Sequence, residues 1–171
     1  MKSLTIATTW GPKYWPNPVQ KCIESTVENW PKHANILYYP DDMSQQLPLD
    51  RVTYFDLCNE QPKLKAFIDK HKDNPTLNPR ITQNKKEAKG FDKDTSIYVY
   101  DAVRFSYKVF ACIDAYQKTK PDMLWFLDAD LLTFEKIPMT WLEHIIPDTA
   151  FTSYLGRPKK GFSETGYYAF N

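Results

Sequence analysis

Two carboxylates at the end of an apolar run are the residues of this sequence best placed to do chemistry. Asp128 and Asp130 follow Met123–Leu127, five apolar residues without polar alternation that predict a strand buried on both faces. In open α/β sheets, ligands bind at the carboxyl ends of the strands. Two carboxylates there can share a hard cation, Mg²⁺ or Mn²⁺, that takes its other ligands from substrate phosphates and water. The alternative is an acid pair that only caps a turn.

A polar stripe is predicted on the helix that precedes the acid pair. Asp101, Arg104 and Lys108 are spaced i, i+3 and i+7, so they share one helical face. The rest of the segment is apolar nearly all round, which predicts a buried helix from residue 95 or 96 to about 117. The stripe faces a ligand, or Asp101 forms an ion pair with Arg104 or Lys108 within the helix, and the two interpretations are compatible.

The remaining pattern predicts the elements that must position these side chains. Between the first two strands, Asn17 is a helix cap, Pro18 lies in the first turn, and Pro31 ends the helix. A second short helix is expected over 138–146. We predict strands at 4–10, 35–39, 123–127, 149–155 and 167–171. A strand, a helix and a strand in succession form a right-handed βαβ unit, so the central sheet should be mostly parallel and flanked by helices.

A polar, lysine-rich insertion interrupts this pattern at about residues 59–95. Nine Lys and Arg stand there against six Asp and Glu, and Pro75, Pro79 and Gly90 punctuate the stretch. We expect only one short amphipathic turn within it, around residues 64–68. A polar stretch of this length is either a solvated excursion or a functional lid, here one that would face phosphates.

The composition narrows the class of protein. The 171 residues fit one domain with one core, and a net charge of +1 favours neither a nucleic-acid nor an anionic-membrane partner. The first residues lack the apolar segment of a signal peptide, and no apolar run approaches the ~18 residues of a membrane span, so we expect a cytoplasmic protein. Cys22, Cys58 and Cys112 are widely spaced, which favours reduced, buried thiols over disulfides or a zinc site.

These stretches resemble the metal-dependent GT-A glycosyltransferases, which use nucleotide sugars. The specific part of the resemblance is Trp125-Phe126-Leu127-Asp128-Ala129-Asp130, which is similar to their strand-terminal DxD motif. Three stretches support it: an Asp-x-x-Arg at 101–104, the strand ends at 8–10 and 41–42, and residues 163–171, which are similar to a later small-x-Gly-x-x-x-Phe-Asn segment. The resemblance covers most of the chain except the insertion. It implies a single Rossmann-like GT-A domain over residues 1–171.

The resemblance also implies a role for each matching residue. Asp128 and Asp130 would contact Mn²⁺ or Mg²⁺, and Asp128 would also touch the ribose. The donor-binding candidates are Thr8, Thr9, Trp10, Asp41, Asp101, Arg104, Lys108 and Asp128. Of these, Arg104 and Lys108 would face the diphosphate or donor sugar, where cations stabilise the charge that develops on the leaving group.

The catalytic candidates are Arg104 and Glu164. Glu164 would be a general base that deprotonates an acceptor hydroxyl, or a group that orients the sugar; a solvated loop acid is the alternative. The implied reaction is of the hexosyltransferase type, from a nucleotide diphosphate sugar to a hydroxyl of a glycan or other acceptor.

The resemblance implies acceptor-binding helices and a further metal ligand, such as His, beyond Asn171. His33, His71 and His144 are interpreted as surface or packing residues. The expectation is therefore a truncated, minimal or binding-only relative of these enzymes, and the alternative function is a non-catalytic nucleotide-sugar-binding domain.

Two other enzyme classes fit less well. A haloacid-dehalogenase-type phosphatase places its Asp-x-Asp on the first strand, whereas Asp128 comes late in this chain. A nucleotidyltransferase carries a Gly-rich phosphate loop after its first strand, and Gly11-Pro12-Lys13 does not form one.

Overall fold

The computed structural model describes residues 2–82, 101–155 and 164–171, apart from the side chains of residues 82, 155, 164 and 165. The described strands are β1 Leu4–Trp10, β2 Asn35–Pro40, β3 Val52–Tyr54, β4 Met123–Leu127, β5 Thr152–Leu155 and β6 Glu164–Phe170. The described α-helices are α1 Val19–Asn29, α2 Leu57–Glu60, α3 Pro62–His71, α4 Ala102–Thr119 and α5 Met139–Ile145. The described 3₁₀ helices span Pro12–Tyr14 and Pro79–Thr82.

The strands form one mixed sheet in the order β3-β2-β1-β4-β6-β5. β3, β2, β1 and β4 are parallel, whereas β6 is antiparallel to both of its neighbours. The prediction of an α/β fold with a sheet flanked by helices is thus confirmed. The parallel arrangement brings the carboxyl ends of β1, β2 and β4 to one edge, where the predicted site residues lie.

Each face of the sheet carries its own hydrophobic core. On one face, Leu4, Ile6 and Trp125 pack with α1 and α5. On the other, Ala7 and Phe126 pack with α2, α3 and α4. All five residues of β4 are buried, as its unbroken apolar sequence predicted. β1 likewise has its predicted bounds, and β2 ends one residue later than predicted.

The structure corrects the predicted start of the first helix. Pro18, not Asn17, is the N-cap residue of α1, and it has no side-chain capping hydrogen bond because proline offers no side-chain acceptor. The end of the helix agrees with the prediction, since Trp30 is the C-cap and Pro31 follows it. The carbonyls at this end are satisfied from outside, because Arg51 donates to the carbonyls of Val27 and Pro31 at 2.5 and 2.6 Å.

The predicted long buried helix is wrong in two respects. Asp101 has a non-helical backbone and caps the helix, so α4 begins at Ala102 rather than at residue 95 or 96, which lie outside the described residues. α4 is also half exposed. Its inner face packs on the sheet and on α2 and α3, whereas Val109, Ile113 and Tyr116 on its outer face are 39–55% exposed.

The described part of the insertion is more ordered than predicted. In place of a single turn around residues 64–68, α3 runs for ten residues, and its Leu64 is fully buried in the core that includes α4. The sequence pattern also misses β3 at the sheet edge. Residues 83–95 lie outside the described part of the chain. Within the described residues, no helix has the length and apolar character that crossing a membrane requires.

The later elements differ from the prediction mainly in their bounds. α5 falls within the predicted 138–146, β5 starts three residues later than predicted, and β6 starts three residues earlier. The cysteines carry no disulfide, as predicted, although only Cys22 and Cys112 are buried and Cys58 is partly exposed.

Candidate functional site

A pocket of about 560 Å³ opens at the carboxyl ends of β1, β2 and β4. Thr9 and Trp10 reach it from the end of β1, and Asp41 reaches it from the residue after β2. Asp128 and Asp130 reach it from the residues after β4. The structure thus brings together side chains that are up to 121 positions apart in the sequence.

The polar stripe of α4 forms another wall of the same pocket. Asp101, Arg104 and Lys108 all line it, so the predicted stripe does face the acid pair. The ion pairs differ from those predicted. Lys108 Nζ pairs with Asp128, and Asp101 pairs with Arg80 of the insertion. Arg104 meets Asp101 through its backbone N–H, which donates to Oδ1 at 3.0 Å.

Two predicted site residues are placed differently. Thr8 does not line the pocket, and its side chain is buried at 1% exposure. Neighbouring residues of a strand point to opposite faces, so Thr8 and Thr9 cannot both reach the same wall. Glu164 is the first residue of β6, with its side chain outside the description, so its catalytic role stays a prediction. β6 does support the acid pair, because the Asp128 N–H donates to the Gly166 carbonyl at 2.7 Å.

The two carboxylates of the acid pair lie in different surroundings. Asp128 is partly buried; burial raises its pKa above the ordinary value, and the adjacent Lys108 ammonium opposes that shift. Asp130 is exposed to the pocket. Behind them, the Cys22 thiol lies 3.7 Å from the Asp128 carbonyl oxygen, and burial raises its pKa to about 12, so it stays protonated and unreactive at neutral pH.

The acid pair fits a hard cation that shares its ligands with a bound substrate. Among the described residues no group of three or more His, Cys, Asp or Glu side chains could enclose a metal ion. Mg²⁺ is commonly held by only one or two carboxylates together with phosphates and water. Asp128 and Asp130 provide that number of carboxylates beside open space, and oxygen is the ligand atom that Mg²⁺ and Mn²⁺ prefer.

Several pocket residues carry polar or aromatic groups that sequence reasoning missed. Tyr14, from the 3₁₀ helix after β1, accepts a hydrogen bond from Arg104 Nη2 at 2.9 Å. Tyr107 lies one residue before Lys108 on α4. Asn78 and Arg80 come from the insertion. Arg80 is 21 positions from its partner Asp101, so no local spacing indicates the contact.

Asp41 is the acid of the pocket wall whose pKa is raised furthest from its ordinary value. Although the residue as a whole is exposed, its carboxylate lies in the pocket wall, where the surrounding protein removes water and raises its pKa to about 6. Its Oδ2 also lies 3.3 Å from the place that a Cβ on Gly11 would occupy. A side chain at position 11 would therefore crowd this carboxylate.

We expect Asp41→Asn to change how stability depends on pH. An acid whose pKa rises on folding binds its proton more tightly in the folded chain, so its contribution to stability falls as the pH rises from about 4 to about 6. The variant lacks this loss. The free energy of unfolding of the variant, measured with urea from about pH 4 to 7.5, should increase relative to that of the wild type up to about pH 6. Above about pH 6 the difference between the two proteins should stay constant.

The neighbouring Asp42 provides a control of opposite sign. Hydrogen bonds from Ser44 lower its pKa, so its contribution to stability is present above the unfolded pKa and is lost as the pH falls. Asp42→Asn should therefore lose free energy of unfolding relative to the wild type as the pH rises to about 4, where the unfolded carboxyl ionises, and should run parallel to the wild type above about pH 5, where Asp41→Asn still gains. If the Asp41→Asn and wild-type curves stay parallel from pH 4 to 6, the raised pKa of Asp41 is wrong.

Comparison of the chain with protein-family models and with curated proteins finds no match.

Proposed function

We propose that this chain is a metal-dependent glycosyltransferase domain of the GT-A type, acting as a hexosyltransferase on a nucleotide diphosphate sugar. The observation that carries the proposal is the shared pocket, in which the acids after β4 face the cations of α4. Mn²⁺ or Mg²⁺ held by Asp128 and Asp130 would supply positive charge beside the diphosphate. The acceptor would be a hydroxyl of a glycan or another molecule. Unpaired cysteines agree with a cytoplasmic location.

The charges on the pocket wall suit a diphosphate once a divalent cation is counted. The described lining residues include four acids, Asp41, Asp101, Asp128 and Asp130, and four bases, Lys13, Arg80, Arg104 and Lys108. These charges cancel when all are ionised. A divalent cation then leaves an excess of about two positive charges, which matches the two negative charges of a nucleotide-linked diphosphate. The balance favours an anionic ligand only in the presence of metal.

The side chains could assist transfer by stabilising the leaving group. As the acceptor oxygen bonds to the anomeric carbon, its proton would pass to a general base, for which Glu164 is the candidate. The bond from that carbon to the diphosphate oxygen breaks, and negative charge grows on the diphosphate. Lys108 and Arg104 face the pocket and would oppose that charge. Arg104 is held in place by Tyr14. Trp10, which is 3% exposed and stacks on Trp15 with ring centroids 6.5 Å apart, gives the pocket a rigid apolar wall beside Thr9.

We expect Asp130→Ala to weaken ligand binding in the presence of Mn²⁺. Asp130 contributes an exposed carboxylate to the pocket, and its removal leaves Asp128, which already pairs with Lys108, as the remaining acid after β4. A thermal-shift screen of UDP-, GDP-, CDP- and ADP-sugars, with and without Mn²⁺, identifies the donor. Calorimetry should then show a loss of affinity of about 10-fold or more in Mn²⁺.

A matched exposed acid outside the pocket, Asp73, serves as the control. Asp73→Ala should bind like the wild type. Unchanged Mn²⁺-dependent binding in Asp130→Ala would show that the acid pair is not a metal site.

Incubation with labelled donor then separates an enzyme from a binding domain. Release or transfer of sugar supports the proposed enzyme. Metal-dependent binding without turnover supports the nucleotide-sugar-binding alternative.

A further inference from the structure

Arg80 is a pocket residue that sequence reasoning counts only as one of the nine basic residues of the insertion. It lies in the 3₁₀ helix Pro79–Thr82, lines the pocket together with Arg104, and has a side chain that is 39% exposed. Its Nε donates to Oδ2 of Asp101, whose side chain is only 2% exposed. Arg80 therefore extends from a buried carboxylate to the open space of the pocket.

Asp101 connects the segment that carries Arg80 to the first turn of α4. While Oδ2 holds Arg80, Oδ1 accepts the backbone N–H of Arg104 at 3.0 Å and so caps the helix. A backbone hydrogen bond of 3.0 Å from the Val103 N–H to the Leu77 carbonyl joins the same two segments. Both carboxylate oxygens of Asp101 are thus engaged with protein. Asp101 therefore holds the Arg80 side chain and the first turn of α4 together at the pocket wall.

The segment that carries Arg80 is anchored on its other side as well. The Asn78 side chain donates to the Lys72 carbonyl at 2.6 Å, and the Asn78 N–H donates to the Asn74 carbonyl at 2.8 Å. α3, just before this segment, packs on α4 through the buried Leu64. The described end of the insertion is therefore a fixed wall of the pocket.

A guanidinium suits this position chemically. It presents five N–H donors in a planar fork, and the contact with Asp101 engages Nε. The same fork matches two oxygens of a phosphate group and stays charged at any physiological pH. Pairing with a buried carboxylate restricts the side-chain rotamers before a ligand arrives, so less conformational entropy is lost on binding.

We infer that Arg80 is a further donor-binding residue, that its guanidinium binds diphosphate oxygens of the nucleotide sugar, and that Asp101 is its positioning residue. The inference rests on the proposed function for the identity of the ligand. It places Arg80, and with it the 3₁₀ helix Pro79–Thr82, at the donor site.

The test compares Arg80→Gln, which removes both the charge and the fork, with Arg80→Lys, which keeps the charge. Each protein is titrated by calorimetry with UDP, GDP, CDP and ADP in Mn²⁺. For the diphosphate that the wild type binds, affinity should fall about 10- to 100-fold in Arg80→Gln and less in Arg80→Lys. Binding of the matching nucleoside, followed by saturation-transfer NMR, should not change, because it has no phosphate.

Controls separate a phosphate contact from a structural role. Lys63→Gln removes an exposed cation outside the pocket and should bind like the wild type. Arg80→Gln removes the ion-pair partner of Asp101, so thermal unfolding is recorded for every variant. If Arg80→Gln does not fold, the test passes to Arg80→Lys. A loss of diphosphate affinity without a loss of nucleoside affinity in Arg80→Lys supports the inference, and wild-type diphosphate affinity in Arg80→Lys overturns it.

Three further results contradict the inference. Equal losses of diphosphate and nucleoside affinity show a structural role for Arg80. Wild-type diphosphate affinity in Arg80→Gln overturns the inference but leaves the proposed function intact. A wild-type protein that binds none of the four diphosphates overturns both.

Discussion

Replacing Asp114 with Ala should lower the free energy of unfolding by about 2 to 4 kcal/mol. This value adds the cost of leaving buried hydrogen-bonding groups unpaired to the cost of a small cavity. Asp114 lies on the inner face of α4 and is 2% exposed. Its carboxylate accepts the Tyr39 hydroxyl at 2.9 Å and Gln61 Nε2 at 2.8 Å, and Lys118 Nζ lies 3.5 Å away. Truncation would leave the hydroxyl of the fully buried Tyr39 without this acceptor. Urea denaturation at pH 7 measures the loss.

Asp114→Asn separates charge from shape at this site. Its amide fills the same volume and offers one acceptor to Tyr39, but its NH₂ faces groups that already donate, Gln61 and Lys118. The Asn variant should therefore lose less stability than the Ala variant but more than Lys65→Ala, which removes an exposed i,i+4 pair with Asp69. If Asp114→Ala costs no more than Lys65→Ala, the buried network does not stabilise the fold.

The parts of the fold that follow from local patterns could be predicted from the sequence. β4 has its predicted bounds because a short, continuously apolar segment between polar residues has few alternatives to a buried strand. β1 has its predicted bounds because its β-branched residues favour a strand, which Gly11-Pro12 ends. α3 could not be predicted in full. Leu64 and Ile68 give an apolar signal for only one turn, and the remaining turns form because the helix packs on α4 and α2.

α4 shows a second limit of pattern reasoning. Apolar residues all round a helix predict full burial, yet Val109 and Tyr116 are more than half exposed. The pattern also places the start of the helix too early. The start is set by the side chain of Asp101, which accepts the Arg104 N–H and is itself held by Arg80.

The sequence could predict the parts of the candidate site that follow from the ends of strands and from the spacing of residues along a helix. The acid pair and the α4 stripe converge because parallel strands bring their carboxyl ends to one edge and because residues three and four apart share a helical face. Thr8 and Arg80 show what could not be derived. The pleat turns Thr8 away from its neighbour Thr9, and Arg80 enters the pocket through a tertiary contact with Asp101.

The largest functional effect is expected from Lys108. Its ammonium pairs with Asp128, lies 5.5 Å from the centroid of the Phe126 ring, and has a side chain that is only 15% exposed. A cation held in such a partly dry site opposes developing negative charge more strongly than one in water. Under the proposed function, Lys108→Met should reduce the rate of sugar release or transfer by about 10²- to 10³-fold, the range seen when a preorganised charge-stabilising group is removed.

Lys118→Met is the matched control, because Lys118 lies on the same helix and also pairs with acids, Glu60 and Asp114, but lies outside the pocket. It should lower stability while keeping the turnover rate at temperatures where both variants are folded. Lys108→Arg retains a cation and should recover part of the rate, but not all of it, because the planar guanidinium differs in shape from the ammonium. Steady-state kinetics in Mn²⁺ should place the Lys108→Met loss mainly in kcat, because Lys108 acts on charge that grows in the transition state. A loss confined to KM would instead make Lys108 a residue that binds the donor without assisting its cleavage.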